Sequence, residues 1–177
     1  VPARGFREVI SLKGTEDIAM YVSAQNNQIV FAQPEMTLIG RLIEGEFPPY
    51  ERIIPNDHAS QIRVNREELL KAAKICSIFA REAANIIKLS LRKERMIDSS
   101  QTPSVGENTV EVEAKLTGEE NEIAFNARYL LDVLNHVDEE ELVFEMTGPL
   151  NPGVFKIYND QSFLHLIMPI RLQPESA

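Results

Sequence analysis

Three times along this chain the apolar residues change their spacing, from steps of three and four to steps of two or continuous runs. The steps of three and four predict a helix, the steps of two or continuous runs a set of strands. In "PARGFREVISLKG", Phe6, Val9, Ile10 and Lys13 fall at helical spacing and Gly14 is placed to cap the end. Strands "DIAMYVSA" and "QIVFAQ" follow, joined at Asn26-Asn27, a pair suited to a tight turn, and then "MTLIGRLIEG". The second copy opens on "IRVNREELLKAAKICSIFAREA". Asn65 is a natural N-cap with Glu68 three residues on, and Leu69, Ala73, Cys76 and Ala80 make one apolar face. Its strands are "NIIKLSLRK", "RMIDSS" and "TVEVEAKLTG", with a polar loop expected around "SSQTPSVGEN", which holds Pro103 and Gly106. The third copy opens on "IAFNARYLLDVLNHVD", with Asn126 as N-cap and Leu130, Val133, Leu134 and Val137 as the buried face. Its strands are "ELVFEMTG", "GVFKIYN" and "SFLHLIMPIRL".

The chain therefore reads as three β-α-β-β-β-like units, an α+β organisation. Two such units packed as a pair make a domain with sheet outside and two helices on one face. The second and third copies form such a pair, and the first is left without a partner. The stretch "IEGEFPPYERIIPND" reads as an extended linker, with Phe47 and Tyr50 pinning it to the surface. The expected division is 1–55 and 56–177. An odd number of half-domains, and a start on Val1-Pro2, suggest a piece of a longer protein.

Composition narrows the class. A 44% hydrophobic fraction in 177 residues suits a folded globular chain, and no apolar run approaches the ~18 residues of a membrane span. Cys76 is the one cysteine, and His58, His136 and His165 are scattered, so neither a disulfide framework nor a zinc site is expected. The net charge of −9 argues against a general nucleic-acid coat, although a local basic face is compatible with it. The acids gather in turns, as in Glu119–Glu122 and Asp138–Glu141, while Arg4, Arg7, Lys71, Lys74, Arg81 and Arg128 lie on the helical stretches. A charged stripe is ordinarily a solvated helix face. The sharper reading is a basic surface that meets phosphates without reading bases.

No catalytic constellation is present. There is no GxSxG, P-loop or dinucleotide fingerprint, and adjacent turn carboxylates lack the contrasting environments that acid–base pairs need. Two stretches, "GEFPPYERI" and "IMPIRL", set proline among apolar and arginine neighbours. The plain reading is a proline that ends strand pairing; the functional one is a shallow groove for a peptide with hydrophobic anchors.

"GRLIEGEFPPYERIIP", "FNARYLLDVLNHV" and "VFKI…FLHLIMPIRL", in this order and with this repeat, resemble the bacterial DNA polymerase III beta subunit family, the replication sliding clamps. The resemblance runs over essentially the whole chain. It implies a DNA-clamp fold, with antiparallel sheets outside and helices on the inner face of a ring. It also implies a head-to-tail homodimer in the full-length protein, double-stranded DNA passing through the ring, and no chemistry or cofactor. By this resemblance residues 1–55 are the second half of the middle domain plus the linker, and 56–177 the C-terminal domain. Partners would be clamp-binding peptides of DNA polymerase III, the clamp loader and repair proteins; no membrane is involved, and the location is cytoplasmic. By motif position the peptide groove takes Pro48, Arg52, Ile53, Asn126, Tyr129, Pro152, Val154, Leu166, Ile167, Met168, Pro169, Ile170, Arg171 and Leu172. Ala84 stands where the family has an aromatic, and Ile78 and Phe79 match the apolar part of the subunit interface. The helix cations would face the DNA. The family's "HRL" motif, the other wall of the groove, is absent from this stretch. Two other classes remain open on the residues alone: a free-standing peptide-binding adaptor, and a hydrolase using Asp138 or Glu139.

Overall fold

The structure is a computed structural model that describes residues 1–12, 17–81, 84–102 and 106–172. The chain divides into two units, Val1–Pro48 and Pro49–Ala177.

The first unit is one helix and one small sheet. Helix α1 (Ala3–Ser11) ends in Leu12, whose backbone is already extended, so the turn stops short of the expected cap. Lys13 and Gly14 lie outside the described residues. Strands β1 (Ala19–Ser23), β2 (Gln28–Gln33) and β3 (Met36–Arg41) form an antiparallel sheet in that order. Ser23 pairs with Gln28, so the turn has four residues and not the two of a tight Asn-Asn hairpin. Asn27 takes the left-handed position at φ 52° and donates its N–H to the Ala24 carbonyl. β3 ends at Arg41 and does not run on to Gly45. Among the described residues only Ile29 and Phe31 are buried hydrophobics here, and α1 buries none of its residues. Phe6 meets Phe31 edge to face at 5.8 Å, while Ile10 is 82% exposed. One short helix against three strands encloses only a small core, and apolar side chains beyond it stay in water.

In the second unit a turn of 3-10 helix at Tyr50–Ile53 leads into eight strands and two helices. Phe47 and Tyr50, expected to pin the linker, are 82% and 53% exposed. In chain order the elements are β4 (Ser60–Asn65), α2 (Arg66–Ala80), β5 (Ile86–Arg92), β6 (Arg95–Thr102) and β7 (Gly106–Gly118). Then come β8 (Asn121–Asn126), α3 (Ala127–His136), β9 (Glu141–Met146), β10 (Gly153–Ile157) and β11 (Asp160–Ile167). The halves β4-α2-β5-β6-β7 and β8-α3-β9-β10-β11 repeat one pattern. "IRV" and "IAF", read as part of the helical stretches, are the strands that lead into them. The expected loop at "SSQTPSVGEN" is largely strand: β6 runs to Thr102 and β7 starts at Gly106, while Pro103 lies outside the described residues.

The strand order is β11-β10-β9-β4-β7-β6-β5-β8, antiparallel at every pairing. Each half lends its first strand to the other: β4 pairs with β9, and β8 with β5. β4 also pairs with β7 along five residues, from Ser60↔Gly118 to Val64↔Ala114. Among the described residues the corresponding join between β8 and the segment after β11 is one backbone bond, Ile170 N–H to the Ala124 carbonyl at 2.8 Å. Beside it Phe125 of β8 packs edge to face on Phe144 of β9 at 5.9 Å, and Phe144 lies 4.7 Å from Phe155 of β10. The two ends of the strand order thus curl towards each other over a shared aromatic core.

Both helices start as their N-cap residues require. Asn65 accepts the Glu68 N–H at 3.1 Å, and Asn126 accepts the Arg128 N–H at 3.0 Å. The apolar faces read from spacing are inside: Leu69, Ala73, Cys76 and Ala80 of α2, and Leu130, Val133, Leu134 and Val137 after Asn126. The seam at β4–β7 carries one strict requirement. Gly118 sits at φ +94°, and a Cβ there would come 2.1 Å from the Ala59 carbonyl oxygen. Gly118→Ala is expected to cost about 2–3 kcal/mol and to lower the thermal midpoint by roughly 4–12 °C. A melt followed by circular dichroism checks it; an unchanged midpoint would show that the seam tolerates a shift.

Candidate docking groove and cationic helix face

Alternation decides what β11 shows to water. Ile167 is buried and Phe163 packs partly on the core, so Leu164 and Leu166 point outward, with Met168 next in the same rhythm. The strand ends at Ile167, two residues before the expected stop at Pro169. Pro169 has no N–H for the ladder with β10, and the next N–H, that of Ile170, goes to β8 instead. The proline therefore marks where the chain crosses from one end of the strand order to the other. Met168 is 57% and Leu172 46% exposed, large apolar side chains that packing within the unit leaves in water.

Two hollows flank this crossing. The first, about 180 Å³, lies between the segment Ile54–His58 and the outer face of the sheet, with Val154, Leu164, Met146, Glu145 and Lys156 in its wall. Val154 pairs with Leu166 on one side and Glu145 on the other, so an apolar row runs directly into a charged one. Burial opposes charge on Glu145. Its bonds from Lys156 (2.6 Å) and Gln61 (2.8 Å) prevail and hold the carboxyl below its usual range. The second hollow, about 400 Å³ and mainly apolar, is bounded by Ile170, Arg171 and Leu172, by Ile123 and Ala124 of β8, and by Pro149 and Leu150. Lys88 and Glu122, 3.5 Å apart, form its polar rim.

The residues assigned to a groove separate accordingly. Val154 lines the first hollow, and Ile170, Arg171 and Leu172 the second, while Met168 and Pro169, just before Ile170 in the chain, line neither. Leu166 is half-buried on the outer face, but Ile167 faces the core. Arg52 and Ile53 are exposed in the 3-10 turn, and Pro48 closes the first unit. Pro152 is half-buried just before β10. Tyr129 stands 56% exposed on the first turn of α3, and Asn126 is occupied in capping that helix. Ala84 and Asn85 form a left-handed turn, at φ 55° and 57°, whose Asn85 carbonyl accepts the Ala127 N–H at 2.7 Å. Ala84 is exposed beside the start of α3. Ile54, Leu164, Ala124 and Leu150 were missed by sequence reasoning. Leu164 had a signal, the step of two with Leu166 and Met168; the others come from distant turns and strands and had none.

The helices carry a different surface. Lys71, Lys74, Arg81 and Arg128 are all exposed, α2 packs beside α3, and Lys71 reaches only Glu67, at 4.0 Å. Lys74, Arg81 and Arg128 have no ion pair among the described residues. On the strands Arg63 pairs with Glu141, Arg92 with Glu122, Arg95 with Glu111 and Lys156 with Glu145. The Arg92 bond, helped by Lys88 and Ser90, outweighs burial and holds Glu122 below the usual carboxylate range. In the first unit Arg4 lies 3.8 Å from Glu8, and Arg7 is exposed. Ile78 is 64% exposed and Phe79 half-buried late in α2. Among the described residues no His/Cys/Asp/Glu group could hold a metal ion, and no helix is long and apolar enough to cross a membrane.

Comparison with known proteins places this architecture. A family model described as DNA polymerase III beta subunit, C-terminal domain, matches residues 51–171. A beta sliding clamp of Staphylococcus epidermidis is 31% identical over 173 residues, 97% of this chain and 46% of that relative. The crystal structure of a DNA polymerase sliding clamp from Bacillus subtilis superposes with a TM-score of 0.83 at 29% identity, over 98% of this chain and 46% of that one. A sliding clamp from Bartonella birtlesii bound to griselimycin gives 0.84 at 25% identity, over 97% of this chain and 47% of the other. The chain spans about half the length of the relatives it matches.

Proposed function

Since the chain belongs to the DNA polymerase III beta subunit family, we propose that it is the C-terminal part of a sliding clamp, a non-catalytic processivity factor of DNA replication. The observation that carries the reading is the division of its cations. On the strands most are matched to glutamates, whereas Lys74, Arg81 and Arg128 stand exposed on the helices without an ion pair. No partner among the described residues accounts for that face. A surface that holds duplex DNA loosely, by its phosphates and without base contacts, needs such a face.

In this reading residues 1–55 are the second half of the middle clamp domain with its linker, and 56–177 the complete C-terminal domain. The incomplete core of Val1–Pro48 agrees with a half-domain. The full-length protein is a head-to-tail homodimeric ring in the cytoplasm, with Ile78 and Phe79 at the subunit contact. Arg4, Arg7, Lys71, Lys74, Arg81 and Arg128 face the DNA. Peptides of DNA polymerase III, the clamp loader and repair proteins dock at the surface from Val154 to Leu172, with the linker and the start of α3 beside it.

The test is charge reversal, Lys71→Glu with Lys74→Glu, in the full-length protein. Both side chains are exposed, so the thermal midpoint should stay within about 2 °C. Retention on circular DNA should fall severalfold, and the slope of log affinity against log salt should drop by about 2. Unchanged retention with an unchanged slope would remove α2 from the DNA-facing surface.

A further inference from the structure

One buried group has no role in this account. Asp98 lies on β6 with its side chain wholly inside, and neither carboxyl oxygen has a hydrogen-bond partner among the described residues. Its strand neighbours are apolar, Leu89 on β5 and Val110 on β7. Above it runs α2, which turns only small residues inward along this stretch, Ala72, Ala73, Cys76 and Ala80. Two bonds stitch that helix to the strand around the carboxyl. The Cys76 thiol donates to the Asp98 carbonyl at 3.4 Å, and the Ser100 hydroxyl donates to the Cys76 carbonyl at 2.9 Å.

No cation answers this carboxyl. Lys71, Lys74 and Arg81 of α2 are exposed. Lys88 and Arg92 of β5 are committed to Glu122, and Arg95 of β6 to Glu111 of β7. Glu113 and Lys115 of β7 are exposed. Among the described residues the one titratable group that faces Asp98 is the Cys76 thiol, which burial pushes up to about 12, so it stays neutral. A lone buried carboxylate is too costly to keep ionised, and a fold that encloses one takes up a proton instead.

We propose that Asp98 is protonated in the folded chain and serves as a latch beneath α2, so that losing this proton releases α2 from β6 before the rest of the unit opens. The strand cannot yield first, because β6 is laddered on both sides, to β5 and to β7. The helix is held by side-chain packing and the two bonds at Cys76 and Ser100, without a ladder, and along this stretch its alanines bury little apolar area, so lifting it costs less than breaking the sheet. The latch does not depend on the sliding-clamp reading. If that reading holds, α2 also carries Lys71, Lys74 and Ile78, and the latch couples a proton to the DNA-facing and subunit-contact surfaces.

The direction with pH follows from the two states. Burial raises the Asp98 carboxyl to about 8 in the folded chain, against about 4 once water reaches it. The closed state therefore binds the extra proton, and opening becomes about tenfold more favourable per pH unit between roughly 4 and 8, then levels off. Carboxyl carbon-13 NMR of this chain, with Asp98→Asn identifying the signal, should show one aspartate that stays protonated at pH 7 and titrates near pH 8. Titration in the ordinary carboxylate range would overturn the proposal. Amide exchange, corrected for its intrinsic pH dependence, supplies the second arm. Protection of α2 should fall about tenfold per pH unit from pH 6 to pH 8 while β6 stays protected, and Asp98→Asn should abolish the trend. Joint loss of α2 and β6 would overturn the latch, as would the same trend in the variant. Should Asp98→Asn fail to fold, the wild-type titration, assigned through the backbone, and the wild-type α2-against-β6 comparison decide.

Discussion

Replacing Phe144 with alanine should cost the 49–177 unit about 3–5 kcal/mol. Phe144 is fully buried and touches a ring on each side, Phe155 at 4.7 Å and Phe125 at 5.9 Å. Its position matters more than its size. Phe125 belongs to β8, at one end of the strand order, while Phe144 and Phe155 belong to β9 and β10 near the other. Among the described residues the Ile170–Ala124 bond is the one backbone bond beside them, so these rings, together with α3, which packs against both β8 and β11, close that side of the unit. The core is packed to the limit there. A Cβ on Gly153 would come 2.5 Å from the Phe125 ring and 2.6 Å from Phe144, so neither a cavity nor an added methyl is easily absorbed. Urea unfolding followed by circular dichroism measures the effect, and Phe144→Leu should recover part of it. A loss under ~1 kcal/mol for Phe144→Ala would mean that the unit closes by other contacts.

Binding should respond as sharply at the other end of the chain, with stability untouched. The double substitution Met168→Ala, Leu172→Ala in the full-length protein is expected to weaken a short peptide with two hydrophobic anchors by at least ~100-fold. Each truncation removes roughly 1.5–2 kcal/mol of anchor burial. Because both side chains are about half exposed in the free chain, unfolding should move by less than ~1 kcal/mol. Fluorescence anisotropy with a labelled peptide, beside a thermal melt, separates the two quantities. Unchanged affinity would remove the Met168–Leu172 segment from the groove; a parallel loss of stability would make its role structural.

The repeated unit was legible because its evidence is local. N-caps act within three residues, so Asn65 and Asn126 announce their helices unaided. Burial at steps of three and four places Leu69 and Cys76, or Leu130 and Val133, inside whatever the helix lies against. Errors arose where an apolar run carries no period. "IRV" and "IAF" fit a helix start or a buried strand equally well, and pairing with β9 and β5 makes them strands. The polar stretch after "RMIDSS" was read as loop on composition, but the β6–β7 ladder pairs it as far as Thr102↔Gly106. In α1 the helical spacing was legible, but that the helix buries none of its residues was not, because this depends on what the sheet offers it beyond the Phe6–Phe31 contact.

By itself, then, the sequence determined the three-fold pattern, the helix caps, the inward faces of α2 and α3, and the exposed cations that the helices carry. Each depends on residues a few positions apart. The tertiary structure decided which strands exchange between the halves, and that Pro169 is the point where the chain crosses from β10 to β8. It also decided that Ile167 faces inward while Met168 and Leu172 face water, and that Asp98 is enclosed with no counter-charge. These are outcomes of long-range pairing. Whether a proline ends a strand or turns it, and whether an aspartate meets water or the underside of a helix, depends on segments distant in the chain. Only the closing of the sheet brings them together.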